Sequence, residues 1–297
     1  MKFALFIGCN IPARLTQYES SARAVLRKLD VGLVDIKAFN CCGYPLRNID
    51  HQAFLLSSAR NLALAAKESL NIVSLCKCCY GSLKKADHLL KENASLRGEI
   101  NGILNTEGLK YDGNIEVKHL LSVLYHEVGI EAIKEKIEKT FEGLKIATHY
   151  GCHALRPSKI VQFDDPVAPS IFDRLVEVTG AKSIDWAAKL DCCGGPLLGI
   201  NDELSMDLTE KKLVSGKQSD ADCLCTACPY CQMQFDNVQK MILSIRGTDH
   251  HIPSLLYSQL LGLSMGVERD LLGLEMNELT VDNLDDFFIG KEDALRA

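Results

Sequence analysis

The chain has 297 residues, 47% hydrophobic and 24% charged, a composition typical of soluble globular proteins. This length allows about two domains, and no apolar run approaches the roughly 20 residues that a membrane span needs. A chain this long can bury a core without help from disulfides. Its thirteen cysteines therefore require a chemical explanation.

The net charge of −6 is concentrated at the end of the chain. Residues 267–297 carry nine acidic and three basic side chains, which leaves thirty of each sign in the rest of the sequence. A neutral body argues against nucleic acid as a partner, because nucleic-acid-binding proteins present a basic face. The acidic end is interpreted either as a solvated tail or as a segment that docks onto a basic partner.

The apolar start of the chain, at 3–7, is shorter than the apolar region of a signal peptide. We therefore expect a buried strand there and a cytoplasmic protein. Because thiols stay reduced in the cytoplasm, the cysteines are interpreted as metal ligands or redox groups rather than as disulfides.

Strand and helix patterns alternate along the chain. The predicted elements of the first half are a strand at 3–7, an amphipathic helix at 14–29, a strand at 33–39, a helix at 51–69 capped by Asp50, and a strand at 71–75. In the second half we predict strands at 145–150, at 182–186 and just before Cys228. The alternation predicts an α/β fold with crossovers between parallel strands. The apolar segment 252–265 is interpreted as core of the second half.

Three pairs of matching segments indicate that the chain is a duplication. At offsets of 143, 151 and 152 residues they are 2–9 with 145–152, 41–46 with 192–197, and 76–79 with 228–231. We therefore predict two pseudo-symmetric repeats, each a small parallel sheet flanked by helices with cysteines at the C-terminal ends of its strands. The first domain is predicted at 1–143, and the second, with the acidic tail, at 144–297.

Each repeat contains a single cysteine, then a Cys-Cys-Gly, then a Cys-x-x-Cys, each placed just after a predicted strand. Parallel strands end at one edge of the sheet, so we expect the five thiols to converge there. Five thiolates fit a tetrahedral zinc site poorly, whereas an adjacent cysteine pair can reach two iron atoms. One iron–sulfur cluster in each half is favoured over a zinc or thiol scaffold, with Gly43, Gly194 and Gly195 letting the backbone pass close to it.

The register of the motifs leaves two choices. Cys78 creates a second adjacent pair in the first half, and Cys225 creates a second Cys-x-x-Cys in the second half. Similar spacing in the two halves is kept if the motif consists of Cys76 and Cys79 in the first half and of Cys228 and Cys231 in the second. We interpret Cys78, Cys223 and Cys225 as buried thiols without a redox role.

With these motifs, the chain resembles the B subunit of heterodisulfide reductase, a family with paired CCG domains. The resemblance covers nearly the whole chain and includes the segments 79–82, 151–153, 156–157, 228–231 and 260–263. It implies a noncubane 4Fe–4S cluster held by five cysteines in each half. Carried onto this chain, the implied ligands are Cys9, Cys41, Cys42, Cys76 and Cys79 for the first cluster, and Cys152, Cys192, Cys193, Cys228 and Cys231 for the second.

The resemblance also implies an activity and partners. The family's activity is that of the catalytic subunit of a reductase in methanogenesis, which reduces the mixed disulfide of coenzyme M and coenzyme B to two thiols in two one-electron steps. The implied partners are the flavin-containing and the cubane-cluster subunits of heterodisulfide reductase and, in a larger complex, a hydrogenase or formate dehydrogenase. The sequence has neither a ferredoxin cysteine run nor a dinucleotide-binding glycine motif, so we expect its electrons to come from another protein of the complex. The alternative is an electron-relay subunit of another oxidoreductase that acts on a quinone, a 2-hydroxy acid, an acyl-CoA or another sulfur compound.

His153 directly follows an implied ligand and is the candidate catalytic residue. Imidazole titrates near neutrality, so this side chain is a candidate proton donor to the leaving thiolates, with a hydrogen bond to a cluster sulfur as the alternative role. Arg14 and Arg156 follow the first cysteine of each repeat and are candidates for contact with anionic groups of a substrate. His149 lies inside a predicted strand and is interpreted as structural.

Overall fold

The computed structural model describes residues 1–288, which form two four-stranded parallel sheets. The first sheet has the order β2-β1-β3-β4 and the second the order β6-β5-β7-β8. The strands are β1 (Lys2–Phe6), β2 (Gly32–Val34), β3 (Ile72–Ser74), β4 (Val117–His119), β5 (Lys145–His149), β6 (Lys182–Ser183), β7 (Cys223–Thr226) and β8 (Ser254–Leu256). The predicted fold class, two α/β repeats with parallel sheets, is confirmed.

Helices flank both sheets. In chain order they are α1 (Asn10–Arg14), α2 (Thr16–Lys28), α3 (His51–Lys67), α4 (Lys77–Glu92), α5 (Ala94–Leu104), α6 (Leu120–Ser122), α7 (Ile130–Lys134), α8 (Cys152–Leu155), α9 (Ser158–Val161), α10 (Ile171–Glu177), α11 (Asp202–Gln218), α12 (Pro229–Met233), α13 (Gln239–Arg246), α14 (Tyr257–Ser264), α15 (Arg269–Leu272) and α16 (Asp285–Phe288). Short 3₁₀ segments lie at Tyr44–Leu46, Asn105–Glu107, Gly195–Leu197, Leu274–Met276 and Asp282–Leu284, and π-helical turns at Val123–Val128 and Gln234–Val238.

The two sheets have the same pairing register at equivalent places. In the first sheet Ala4 of β1 pairs with Val34 on one side and Ile72 on the other. In the second sheet the equivalent residue of β5, Ala147, pairs with Leu224, which the repeat aligns with Ile72. The first sheet lies wholly before residue 143 and the second wholly after it, although the domain boundary itself stays a prediction.

Several predicted strands and helices are longer than the observed ones. The strand at 33–39 ends at Val34, because the polar side chains that follow leave the sheet and Phe39 turns back to pack on Phe6 at 5.1 Å. The strand at 182–186 ends at Ser183. The helix at 14–29 begins at Thr16, since the chain breaks at Leu15 after the short α1. The predicted cap of α3 is confirmed, as the Asp50 carboxylate accepts a hydrogen bond from the Ala53 N–H.

The fourth strand of each sheet was not predicted. Both β4 and β8 have three residues, too few to show a period-two pattern. The apolar segment 252–265 is buried as expected, and it forms β8 and α14. Helix α14 also packs on α2 of the first half, where the buried hydroxyls of Ser21 and Ser258 are 2.7 Å apart.

The described part of the acidic end folds back onto the body, so the expectation of a fully solvated tail is wrong there. Arg269 pairs with Asp285 at 2.8 Å, and the Phe288 ring packs on Phe141. Four charged residues of the predicted tail, Lys291, Glu292, Asp293 and Arg296, lie outside the described residues. Within 1–288, no helix has the length and apolar character that crossing a bilayer requires.

Candidate functional site

The single cysteines and the Cys-x-x-Cys motifs lie just past the ends of the central strands. Cys9 follows β1, and Cys76 follows β3 as the residue that caps α4. The Cys76 sulfur accepts a hydrogen bond from the Cys79 N–H at 3.5 Å. Cys152 and Cys228 occupy the equivalent places after β5 and β7. Because neighbouring parallel strands end at one edge, each half brings its thiols together.

The Cys-Cys-Gly loops are held against a following helix in the same way in both halves. Gly43 and Gly194 have positive φ angles of 79° and 87°, a conformation that glycine adopts without strain. A Cβ atom on Gly194 would lie 2.5 Å from the Ser205 carbonyl of α11, and one on Gly43 would lie 2.9 Å from the Phe54 carbonyl of α3. These glycines therefore allow close packing on a helix, and the expectation that they let the backbone pass close to a cluster stays a prediction.

Hydrogen bonds from the same helices fix the paired cysteines. Ser58 of α3 donates to the Cys42 carbonyl at 2.6 Å, and Thr209 of α11 donates to the Cys193 carbonyl at 3.0 Å. One turn further along α3, the Asn61 amide donates to the Cys41 carbonyl at 3.1 Å. These side chains are fully buried, so each loop has a single well-defined position.

The ten predicted ligands form two groups of five thiols. In the first group, contacts run from Cys9 through Cys41, Cys42 and Cys79 to Cys76. In the second group, they run from Cys152 through Cys192, Cys193 and Cys231 to Cys228, with 3.5 Å between the Cys193 and Cys231 sulfurs. The structure thus brings together all the cysteines that the sequence predicted to converge. Their role as ligands stays a prediction.

Solvent reaches both groups at the same repeat positions. Cys9 is exposed, and Cys41, Cys152 and Cys192 are half-buried, whereas the other six thiols of the two groups are buried. In each half, the accessible edge therefore consists of the single cysteine and the first cysteine of the Cys-Cys-Gly.

The thiols of these edges differ in acidity. Hydrogen bonds from Cys42 and then Cys9 lower the pKa of Cys41, and hydrogen bonds from Cys152 and then Cys193 lower the pKa of Cys192. The pKa of Cys9 is raised, first by its hydrogen bond to Cys41 and then by burial. Of the two accessible thiols in each half, the first cysteine of the pair is therefore the one that more readily forms the thiolate, which is the form that binds soft metals.

Cys78 lies where the two groups meet. Its sulfur and those of Cys76 and Cys228 are all within 4.8 Å of one another. It is buried, as expected, and the interpretation that it has no redox role stays a prediction. Cys223 and Cys225, in contrast, lie in β7 and are fully buried in the core.

Aromatic rings lie between the two groups. The Tyr44 ring packs on His153 at 5.0 Å and on Tyr230 at 6.0 Å, and the Arg47 guanidinium lies 5.2 Å above the Tyr44 ring. Tyr44, Pro229 and Tyr230 also line a small cavity of about 10 Å³ beside the first group of thiols. Burial, and then the charge of Arg47, lower the pKa of His153. The imidazole is therefore neutral at neutral pH, so it can pass a proton on but does not store one.

Arg47 was not predicted from the sequence as a cation beside the aromatic rings. The candidates named for contact with a substrate anion were Arg14 and Arg156, both of which are exposed. Arg47 stands four residues past Gly43 in the loop that carries the first Cys-Cys-Gly. Its position in that loop was the available signal, because the loop is anchored at the edge where the thiols meet.

The residues present fit iron–sulfur clusters. The donor set consists of thiols, the ligands that such clusters use. Gly8 and Gly151 keep space beside the sulfurs, since a Cβ on Gly8 would lie 2.8 Å from the Cys79 sulfur and one on Gly151 would lie 3.7 Å from the Cys231 sulfur.

Fold and site together define a class of protein: a duplicated α/β chain with a cysteine-rich domain in each half. A family model described as CCG, cysteine-rich domain, matches residues 3–84 and 146–236. The chain is 39% identical, over 94% of its length and 94% of the relative's, to the B subunit of the ferredoxin/F420H2-dependent CoB–CoM heterodisulfide reductase of Methanosarcina acetivorans. The chain therefore belongs to the heterodisulfide reductase B-subunit family of paired CCG-domain proteins.

The chain is also similar to a subunit of another reductase and to a solved structure. The chain is 34% identical, over 95% of its length and 99% of the relative's, to the 8-methylmenaquinol:fumarate reductase membrane anchor subunit of Wolinella succinogenes. A crystal structure of a hypothetical protein from Helicobacter pylori has a similar fold, with a TM-score of 0.76 at 20% identity over 94% of this chain and 52% of that one. The Wolinella succinogenes relative shows that the family includes subunits of different reductases. The similarity to the Helicobacter pylori structure concerns the fold alone.

Proposed function

We propose that this chain is the catalytic iron–sulfur subunit of a disulfide reductase complex of the heterodisulfide reductase type. The observation that carries the proposal is the pair of equivalent five-thiol groups, which expose the same two repeat positions and meet beside Tyr44, His153 and Tyr230. A disulfide has two sulfur atoms and takes up two electrons, so two equivalent redox sites suit it. The names of the heterodisulfide reductase relatives support the same interpretation.

The proposed ligand sets are the ones that the resemblance to the family implies. One noncubane 4Fe–4S cluster would be held by Cys9, Cys41, Cys42, Cys76 and Cys79, and the other by Cys152, Cys192, Cys193, Cys228 and Cys231. When bound, the two clusters supply the two electrons that a disulfide needs.

The side chains between the two thiol groups bind and orient the substrate. The rings of Tyr44 and Tyr230 exclude water from the approach to both groups, and Arg47 offers a positive charge to anionic substituents. Reduction of one disulfide consumes two electrons and two protons and gives two thiols. His153 passes protons from solvent to the nascent thiolates, because its ring lies half-buried between solvent and the sulfur atoms.

The electrons come from other proteins of the complex. The family's flavin-containing subunit and its cubane-cluster subunit are the proposed partners, with a hydrogenase or formate dehydrogenase as the source in a larger complex. The mixed disulfide of coenzyme M and coenzyme B is the proposed substrate, since it is the one that the relatives' names contain.

An assay with an artificial donor tests the activity. The protein is purified without oxygen, supplied with reduced methyl viologen as a one-electron donor and given the mixed disulfide. We expect two thiols for every two viologen molecules oxidised. His153→Ala should slow thiol release while the iron content stays at the wild-type level, and the exposed His126→Ala serves as the control. Full activity in His153→Ala would remove the proton-transfer role.

An electron-relay subunit is the second candidate, and the Wolinella succinogenes relative favours it because that protein is matched over nearly its full length. A relay would keep both clusters and pass electrons to a partner without binding a disulfide. Viologen oxidation that releases no thiol from a protein with a full complement of iron would favour this second function.

A further inference from the structure

His149 is a fully buried histidine whose ring nitrogens make no hydrogen bond of good geometry within residues 1–288, although the Lys189 backbone approaches the ring. It is the last residue of β5, at the edge where the second group of thiols lies. A ring nitrogen of His149 and the sulfurs of Cys193 and Cys231 are all within 4.8 Å of one another. Buried polar groups almost always have a partner, so an unpaired imidazole facing two sulfurs indicates a missing acceptor.

The packing of the ring keeps it in this position. The His149 ring stands perpendicular to the Phe235 ring, with 5.0 Å between centroids. Its main-chain carbonyl accepts a hydrogen bond from the buried Lys77 ammonium at 3.2 Å. The side chain is thus oriented before anything binds, with a ring nitrogen on the side of the thiols.

The first half has no counterpart of this donor. The repeat aligns His149 with Phe6, whose ring packs on Phe39. At two further positions, the second site has a lysine where the first site has an uncharged residue. Lys212, whose ammonium lies 4.6 Å above the Trp186 ring, is aligned with the neutral Asn61.

The third position is Lys77, which reaches from the first half towards the second group of thiols. Its Cδ atom would lie 3.0 Å from a Cβ on Gly151, beside Cys152. The repeat aligns Lys77 with Pro229, which lines the cavity of the first group. At two of the three positions, the second site therefore has a hydrogen-bond donor where the first site has an apolar residue, and at the third it has a cation where the first site has a neutral amide.

We propose that His149 donates a hydrogen bond to the cluster of the second site, and that this contact makes the second cluster the easier of the two to reduce. The inference rests on the proposed function only in that it requires a cluster in each half. Hydrogen bonds to cluster sulfurs raise reduction potentials, because they offset the negative charge that arrives with the electron. Electrons would then settle first at the second cluster, and the two sites would act in a fixed order despite their shared ancestry.

The test uses the oxygen-free holoprotein with its histidines labelled with ¹⁵N. Pulsed EPR of the partly reduced protein detects a histidine nitrogen near a cluster, and a redox titration followed by EPR gives both potentials. The variants are His149→Phe, which introduces the residue found at the equivalent position of the first half, and His149→Gln, which retains an N–H donor. The exposed His126→Gln is the matched control.

We expect a ¹⁵N coupling to one cluster in the wild type, and its loss in His149→Phe together with a lower potential for one of the two clusters only. His149→Gln should keep a potential nearer to that of the wild type. If His149→Phe loses half of the iron while His149→Gln keeps all of it, the need for a donor at this position is supported as well.

Because His153 Nδ1 also lies 3.7 Å from the Cys152 sulfur, the diagnostic signal is the coupling that His149→Phe removes. Unchanged potentials and unchanged ¹⁵N couplings in His149→Phe would overturn the inference, as would an equal shift of both potentials. A wild-type protein without clusters would be a failure of the proposed function, and the iron content of the starting material separates that result from the others.

Discussion

The Cys78 sulfur lies 3.3 Å from Nδ1 of His153, although the two residues belong to different halves of the chain. The same ring nitrogen lies 3.7 Å from the Cys152 sulfur. The repeat aligns Cys78 with Tyr230, so this thiol has no counterpart in the second half. The two groups of thiols already meet directly at Cys76 and Cys228, and Cys78 adds a contact that the duplication itself does not account for.

Iron content distinguishes Cys78 from the implied ligands. We expect Cys78→Ser to keep about eight irons per chain, because five other thiols of its half remain to hold a 4Fe–4S cluster. Cys79→Ser removes a thiol in contact with Cys42 and should lose about half of the iron. Iron and acid-labile sulfide are measured on protein purified without oxygen, with the core thiol variant Cys223→Ser as the control.

The opposite pattern would reassign the register. If Cys78→Ser lost half of the iron and Cys79→Ser kept it, the first cluster would use the adjacent cysteine instead. The chosen spacing of the Cys-x-x-Cys motif would then be wrong for the first half.

Close packing of the second Cys-Cys-Gly loop makes Gly194 intolerant of a side chain. Gly194→Ala combines an unfavourable positive φ with a Cβ only 2.5 Å from the Ser205 carbonyl, and should cost about 3 kcal/mol or more. Gly199→Ala is the matched control, because its φ of 84° is similar and no atom lies within 4 Å of the new Cβ. It should cost only about 1 kcal/mol.

Thermal unfolding of the two glycine variants under anaerobic conditions measures this difference. A Gly194→Ala protein as stable as Gly199→Ala would contradict the close approach of the loop to α11.

Asp236 makes stability depend on pH. Burial raises the pKa of this carboxyl group to about 6, while its oxygens accept hydrogen bonds from the Glu278 and Leu279 N–H groups. The folded state holds a proton that the unfolded state releases near pH 4, so the protonated carboxyl stabilises the fold at pH 5 and this contribution is lost by pH 7. The loss amounts to about 1 kcal/mol.

The variant Asp236→Asn should remove this part of the pH dependence. Unfolding of the two proteins at pH 5, 6 and 7 is compared, so that any pH effect on the clusters appears equally in both. Parallel stability curves for the wild type and Asp236→Asn would show that the carboxyl does not titrate in this range.

The repeat allowed the sequence to predict which cysteines come together. Strands ending at one sheet edge were enough to group Cys9 with Cys76 and Cys152 with Cys228. Sequence could not place Cys78 or Arg47 in space, because their positions depend on how one half packs against the other. It also assigned His149 to a structural role, since a residue inside a strand pattern gives no sign of an unpaired ring at the strand's end.

Short elements were beyond the reach of pattern alone. The three residues of β8 lie in an apolar segment that predicts a buried strand and a buried helix equally well. Only packing on β7 and on α2 decides the outcome, with Cys225 of β7 paired to Leu255.

The most direct test of the central claim is an iron and acid-labile sulfide analysis of the anaerobically purified protein, combined with EPR in the presence of the mixed disulfide and of its thiols. We predict about eight irons and eight sulfides per chain, with a new EPR signal when a substrate thiol is added to the oxidised protein. About four irons, or zinc in place of iron, would contradict two equivalent cluster sites. Eight irons with no response to either thiol would contradict disulfide reduction at these sites.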